Sequence, residues 1–245
     1  MKLKQAFTIL LASTIIGCST APVIPQKPIE QIIAENIITP TDLTGIIYKL
    51  TKEEGIKQLS ELALNNKYED TWFYLPETKE WIDYGEDVSR DGCIPKPKIL
   101  LELRPDVKEV SNYHIHPARN LMMGGFYKSE YKNFSGALPP SYEDVEYWLG
   151  EKETLEGFGV KLRESVVVDL GGYWVLNFET TNLDKLKNNL KDYEYLVDAH
   201  TTKYYSIYKS NKNDTKRLEV LRKDLIQDFE KKSAKLGIDL KYFFL

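Results

Sequence analysis

Histidine, cysteine and long apolar runs are all scarce in this chain of 245 residues. Two cysteines, Cys18 and Cys93, cannot build the multi-bridge framework that staples small secreted folds. The apolar run from Ala6 to Ile16 falls short of the roughly 20 residues a spanning helix needs. Internal repeats and low-complexity tracts are missing too, so nothing points to a solenoid or a fibrous chain. Basic residues are spread along the chain and do not gather in a stripe, so nucleic acid is not an expected partner. The formal charge is -4, and loss of the N-terminal segment with Lys2 and Lys4 deepens it to about -6. What is present is a mixed composition, long enough to bury one sizeable core, with a single domain as the default.

The first residues stand apart. Lys2 and Lys4 precede the apolar run, and Gly17-Cys18 follows it. This is the layout of a signal peptide over 1–17. Ile15-Ile16-Gly17-Cys18 resembles the bacterial lipobox. The resemblance implies that Cys18 becomes the first mature residue and carries acyl chains, each buried CH2 contributing roughly 0.8 kcal/mol to bilayer binding. The expected location is then the bacterial cell envelope, outside the cytoplasm, with residues 18–28 (CSTAPVIPQKP) as a tether. Cys93, in the loop RDGCIPKPK, would be left without a partner, and no chemistry is assigned to it.

Along the remainder, 29–245, helical and strand patterns mix, which implies an α/β layer fold. IEQIIAENII reads as a short helix stopped by Pro40. Thr51 and Glu54 make a capping box for a helix whose apolar face is Ile56, Leu59, Leu62 and Ala63. TWFYL and EWIDYG read as strands about the turn PETK, KILLEL as a third strand, and VKEVSNYHIHP as a fourth closed by Pro117. A helix begins at Ser141, with Val145, Trp148 and Leu149 as its apolar face. ESVVVDLGGYWVLNFE reads as a hairpin about Gly171-Gly172. Residues 182–235 read as helical and LGIDLKYFFL as a last strand. In the helical tract Leu218, Leu221, Leu225 and Phe229 form one stripe for intramolecular packing.

Two of the three histidines, His114 and His116, stand one residue apart in SNYHIHPARN. On a strand, residues i and i+2 share a face, so two imidazoles a few Å apart can bond one zinc ion at roughly 2.0–2.1 Å. They can equally be two half-buried rings bonded to backbone. A hydrolytic zinc site needs a third protein ligand and an open position. Asp144, in the first turn of the helix capped by Ser141, is the candidate, and a carboxylate is favoured there by the helix dipole. S-x-x-D is also a plain capping box. His200, in DAHTTKYY, reads as a surface or core residue and not as a ligand.

Taken together, HIHP followed by PSYED resembles the JAMM/MPN-plus metalloenzyme family, whose signature is E…H-x-H-P…S-x-x-D. The resemblance covers roughly residues 50–180. It implies a JAMM-like (cytidine-deaminase-like) mixed sheet flanked by helices, here with an extra C-terminal helical segment. It also implies zinc bound by His114, His116 and Asp144, with an upstream Glu acting on water and Ser141 helping to stabilise the oxyanion. The Glu maps onto Glu69, which directly follows the capped helix; Glu77, Glu80 and Glu86 are rivals and Asp70 is its neighbour. The implied activity is zinc-dependent peptide or isopeptide hydrolysis on an envelope-anchored lipoprotein. The alternative is a catalytically silent binding or structural domain, which loss of the Glu would mark. One departure from the pattern is the 24 residues between His116 and Ser141. Doubling a loop costs only about 0.6 kcal/mol, so closure is not forbidden. Residues 118–138, with Met122-Met123-Gly124-Gly125, read either as a lid over the cleft or as an insertion packed on the surface.

Overall fold

The structure is a computed structural model that describes residues 47–65, 69–86, 100–101, 103–117, 138–169, 171–211 and 213–245. The leader, Cys18, the tether, the helix expected near 29–38, Cys93 and all of the 118–138 segment but its last residue lie outside the described residues. The elements are β1 (Ile47–Lys49), α1 (Lys52–Asn65), β2 (Asp70–Leu75), β3 (Glu80–Glu86), β4 (Glu109–Ile115), α2 (Tyr142–Gly157), β5 (Lys161–Asp169), β6 (Gly172–Asn177), α3 (Leu183–Asn188), α4 (Leu190–Asn211), α5 (Thr215–Lys235) and β7 (Leu240–Phe244). No helix among the described residues is long and apolar enough to cross a membrane.

The seven strands make one mixed sheet in the order β1-β3-β2-β4-β5-β6-β7. Only β4 and β5 are parallel, joined through α2; the other pairs are antiparallel. Helices cover both faces, so a central strand is apolar on both sides, as β2 is, buried at every position. Its period of two sends Trp72 and Tyr74 to one core and Phe73 and Leu75 to the other.

On the first face, α1 lays Ile56, Leu59, Leu62 and Ala63 over Trp72, Trp81 and Tyr113. Ile56, Leu59 and Leu62, removed from water, each contribute roughly 1.5–3 kcal/mol. The capping box forms as expected: Glu54 N donates to Thr51 Oγ1 at 3.2 Å and Thr51 N to Glu54 Oε2 at 2.8 Å. Gly55 is needed because a Cβ there would stand 2.1 Å from Trp81 Cε2. On the second face α2, α4 and α5 enclose Trp148, Trp174 and Phe229. The tract from Asn182 to Lys235 is helical as expected, in three pieces, and the terminal segment is the edge strand β7. Glu230 of α5 accepts the Tyr242 N–H at 2.8 Å and so blunts that edge.

One reading changes. KILLEL was expected as a strand, yet Leu100, Leu101 and Leu103 are helical, with Arg104 N donating to Leu100 O at 2.8 Å. The tertiary reason is that Leu100 is fully buried in the second core, while Arg104 makes two bonds to Glu80, at 2.7 and 3.0 Å. The helical conformation at Leu100, Leu101 and Leu103 puts the apolar and the charged residue on these separate partners. Strand β1 was not anticipated, because three residues carry too little pattern; it exists by pairing with β3.

Candidate metal centre

β4 carries Val110, Asn112, His114 and, one residue beyond its end, His116 on the α2 face of the sheet. His116 N still donates to Val168 O at 3.0 Å, which keeps the ladder in register up to Pro117. α2 begins where β4 ends and runs back along it. Ser141 is its N-cap: Asp144 N donates to Ser141 Oγ at 3.1 Å, and Ser141 N donates to Asp144 Oδ2 at 2.6 Å. Just upstream, Tyr193 of α4 donates its hydroxyl to Pro140 O at 2.8 Å and pins the approach to the cap. Nothing in the sequence signals that last contact, since the two residues are 53 apart.

The capping box also sets the geometry that a ligand role for Asp144 would need. The cap holds the carboxylate so that Oδ1 lies 3.3 Å from His114 Nε2 and Oδ2 lies 3.4 Å from His116 Nε2. The two Nε2 atoms are 3.1 Å apart. One ligand atom from each residue can be chosen so that all lie within 4.8 Å of one another, a group able to hold a metal ion. Atoms bonded at roughly 2.0–2.1 Å to a tetrahedral ion stand about 3.3–3.4 Å apart, so the donor types and spacings fit. His114 is nearly buried, its ring tilted against Trp148 at 5.5 Å, while His116 is 24 % exposed and marks the open side.

Glu69 is placed by register. Thr71 pairs with His114 across antiparallel strands, so Glu69, two residues earlier on the same face, falls in line with His116. On the other flank Ile115 pairs with Val168, which puts Asp169 beside His116 on that face as well. Sequence reasoning missed Asp169 because VVVDLGG reads as a hairpin turn, and Asp169 does that too: its Oδ1 accepts from Gly171 N at 2.8 Å. Among the rivals of Glu69, Glu80 is held by Arg104 at the far end of β3, and Glu77 lies in the β2–β3 turn. Asp70 points to the opposite face, where it accepts from Trp72 Nε1 at 3.1 Å. His200 is a core residue, edge-on to Phe229 at 4.8 Å.

Charge follows geometry. Burial would lower the pKa of His116, but Asp144 first, then Glu69 and Asp169, raise it to about 9. Burial would raise the pKa of Asp144, yet the facing imidazoles hold it well below the usual carboxylate range. The metal-free centre is therefore an imidazolium–carboxylate pair near neutrality, and a metal must displace the His116 proton. For a divalent ion bound here, apparent affinity would rise about tenfold per pH unit between pH 6 and 8 and level off above about 9. Competition with a chelator at several pH values reads this directly. An affinity flat across that range would exclude the His116 proton from the exchange.

Comparison with known proteins found no matching family model, no similar curated protein and no similar solved structure.

Proposed function

We propose that this chain is a zinc-dependent amide hydrolase of the JAMM type, tethered to the bacterial envelope through an acylated Cys18. The observation that carries the reading is the convergence of His114, His116 and Asp144, from two separate elements, at 3.1–3.4 Å. The element order supports it. A capped helix precedes the strand that starts beside Glu69, the His pair ends a later strand, and the S-x-x-D helix follows, leading to the β5–β6 hairpin. Glu69 on the same face as His116 favours an active site over a silent one.

Two imidazoles and a carboxylate suit zinc, which when bound supplies a Lewis acid able to polarise an amide carbonyl and acidify water. The chain's own groups account for the rest. Glu69 accepts a proton from the attacking water as the C–O bond forms, then delivers it to the amine as the C–N bond breaks. Ser141 Oγ accepts from Asp144 N, which leaves its own O–H to donate to the developing oxyanion. Such a donor contributes about 3 kcal/mol. Peptides of the cell envelope, or of exported proteins, suit the proposed location.

The test is amine release from a mixed library of peptide and isopeptide amides. Hydrolysis should vanish with a chelator and return with one equivalent of Zn2+. Zinc-loaded protein that releases no amine from any of them would contradict the hydrolase reading.

A further inference from the structure

Below the metal centre, β4 and α2 meet rung by rung, because α2 runs back along the strand it follows. His114 and His116 meet Asp144, and the Trp148 ring lies on His114. One rung further down, Asn112 Nδ2 donates to Glu151 Oε2. Asn112 stands two residues before His114 and Glu151 seven after Asp144, so both continue the stripes that build the site. The next rung, Val110 and Leu155, is apolar again and fully buried.

The Asn112–Glu151 rung is anomalous for a core. Glu151 is 3 % exposed, Asn112 1 %, and Ser165, the register partner of Asn112 on β5, 0 %. Glu151 Oε1, Asn112 Oδ1 and Ser165 Oγ make no hydrogen bond among the described residues. Burial raises the Glu151 carboxyl to about 8, so it sits in this layer mainly as the neutral acid at pH 7. Buried polar atoms left without partners oppose folding. An apolar rung would pack the same helix on the same strand without that cost. What an apolar rung lacks is direction. A slip of one residue turns a helix by about 100° and would swing Asp144 away from the imidazoles. A buried polar pair that fixes register is the best-attested use of such groups.

We propose that Asn112 and Glu151 are a positioning pair for the metal centre, holding α2 in the register that presents Asp144 to both His114 and His116. The proposal rests on the metal-site reading given above. It concerns how the ligands are held and assigns the pair no contact with substrate.

The test replaces the rung with apolar side chains, Asn112→Val with Glu151→Leu, in the full-length chain. Removing both partners together leaves neither unsatisfied, so the double variant should unfold at or above the wild-type temperature. It should nevertheless bind Zn2+ 10–100-fold more weakly, the loss typical when the support of a ligand is removed. Glu151→Gln, which keeps an acceptor for Asn112, should restore wild-type affinity. In metal-free crystals of the double variant, Asp144 should leave its contacts with both imidazoles. Wild-type zinc affinity in the double variant, or Asp144 retained at 3.3 and 3.4 Å, would overturn the proposal. If the double variant does not fold, Glu151→Met is read by the same two measurements. If wild-type protein binds no zinc, the functional reading fails on its own, and the Asp144 position in metal-free crystals still decides this one.

Discussion

Glu69→Gln is expected to abolish amide hydrolysis, lowering kcat roughly a thousandfold, while zinc binding stays at the wild-type level. General-base catalysis typically contributes 10²–10⁴-fold. Gln keeps the size and an acceptor oxygen but cannot take the proton. Glu69 lies in register with His116 on the α2 face, and its charge is among those that raise the His116 pKa. It is not one of the three grouped ligands, so zinc stoichiometry should survive. A second consequence follows from that same field: without the Glu69 charge the His116 pKa should fall, by an amount NMR of the metal-free protein can read. Steady-state kinetics with metal analysis on the same sample checks the main claim. A kcat within tenfold of wild type would remove Glu69 from the chemistry, and a loss of zinc would make it a ligand instead.

Asp144→Asn is expected to have the other large effect, on metal and stability together. Asn keeps an oxygen to accept from Ser141 N, so the cap survives. The charge between the two imidazoles is gone, and zinc affinity should fall about a hundredfold or more, beyond what loss of a supporting contact costs. The metal-free protein should weaken as well. A carboxyl held below its ordinary pKa contributes stability that is present above that pKa and lost as pH falls through the depressed one. Its partner His116, held up at about 9, contributes stability present below its ordinary value and lost as pH rises past about 9. Near pH 7 both contributions are in force. Removing one partner of a partly buried pair should therefore cost on the order of 2 kcal/mol, less than for a fully buried pair because His116 is partly exposed. Urea unfolding at pH 7 with chelator present measures it. An unchanged midpoint would mean that the pair does not form in solution.

Much of the site was legible because its signals are local. Period two puts His114 and His116 on one face, and a helix N-cap fixes where the side chain three residues later points, so H-x-H and S-x-x-D each carry their geometry in the sequence. The position of Glu69 between a capped helix and a strand was legible, and its face then follows from pairing. Long periodic helices and the Gly171-Gly172 hairpin were legible for the same reason. What was not legible depends on distant partners. The strand order places β3 outside β2 and brings β5 against β4 through a crossover, and no local pattern encodes that. KILLEL has strand-like composition but is drawn into a helical turn by the separate destinations of Leu100 and Arg104. Glu151 in a charged helix reads as a solvated residue; only the position of Asn112 across the layer shows that it faces inward. Asp169 reads as turn chemistry until the parallel pairing of β4 and β5 sets it beside His116.

The central proposal is that His114, His116 and Asp144 hold a single cation. Anomalous diffraction at the zinc edge, from crystals grown with one equivalent of Zn2+, tests it most directly. One strong peak is expected, bonded to Nε2 of both histidines and to the Asp144 carboxylate at about 2.0–2.2 Å. A peak elsewhere, or none between these three side chains, would contradict it.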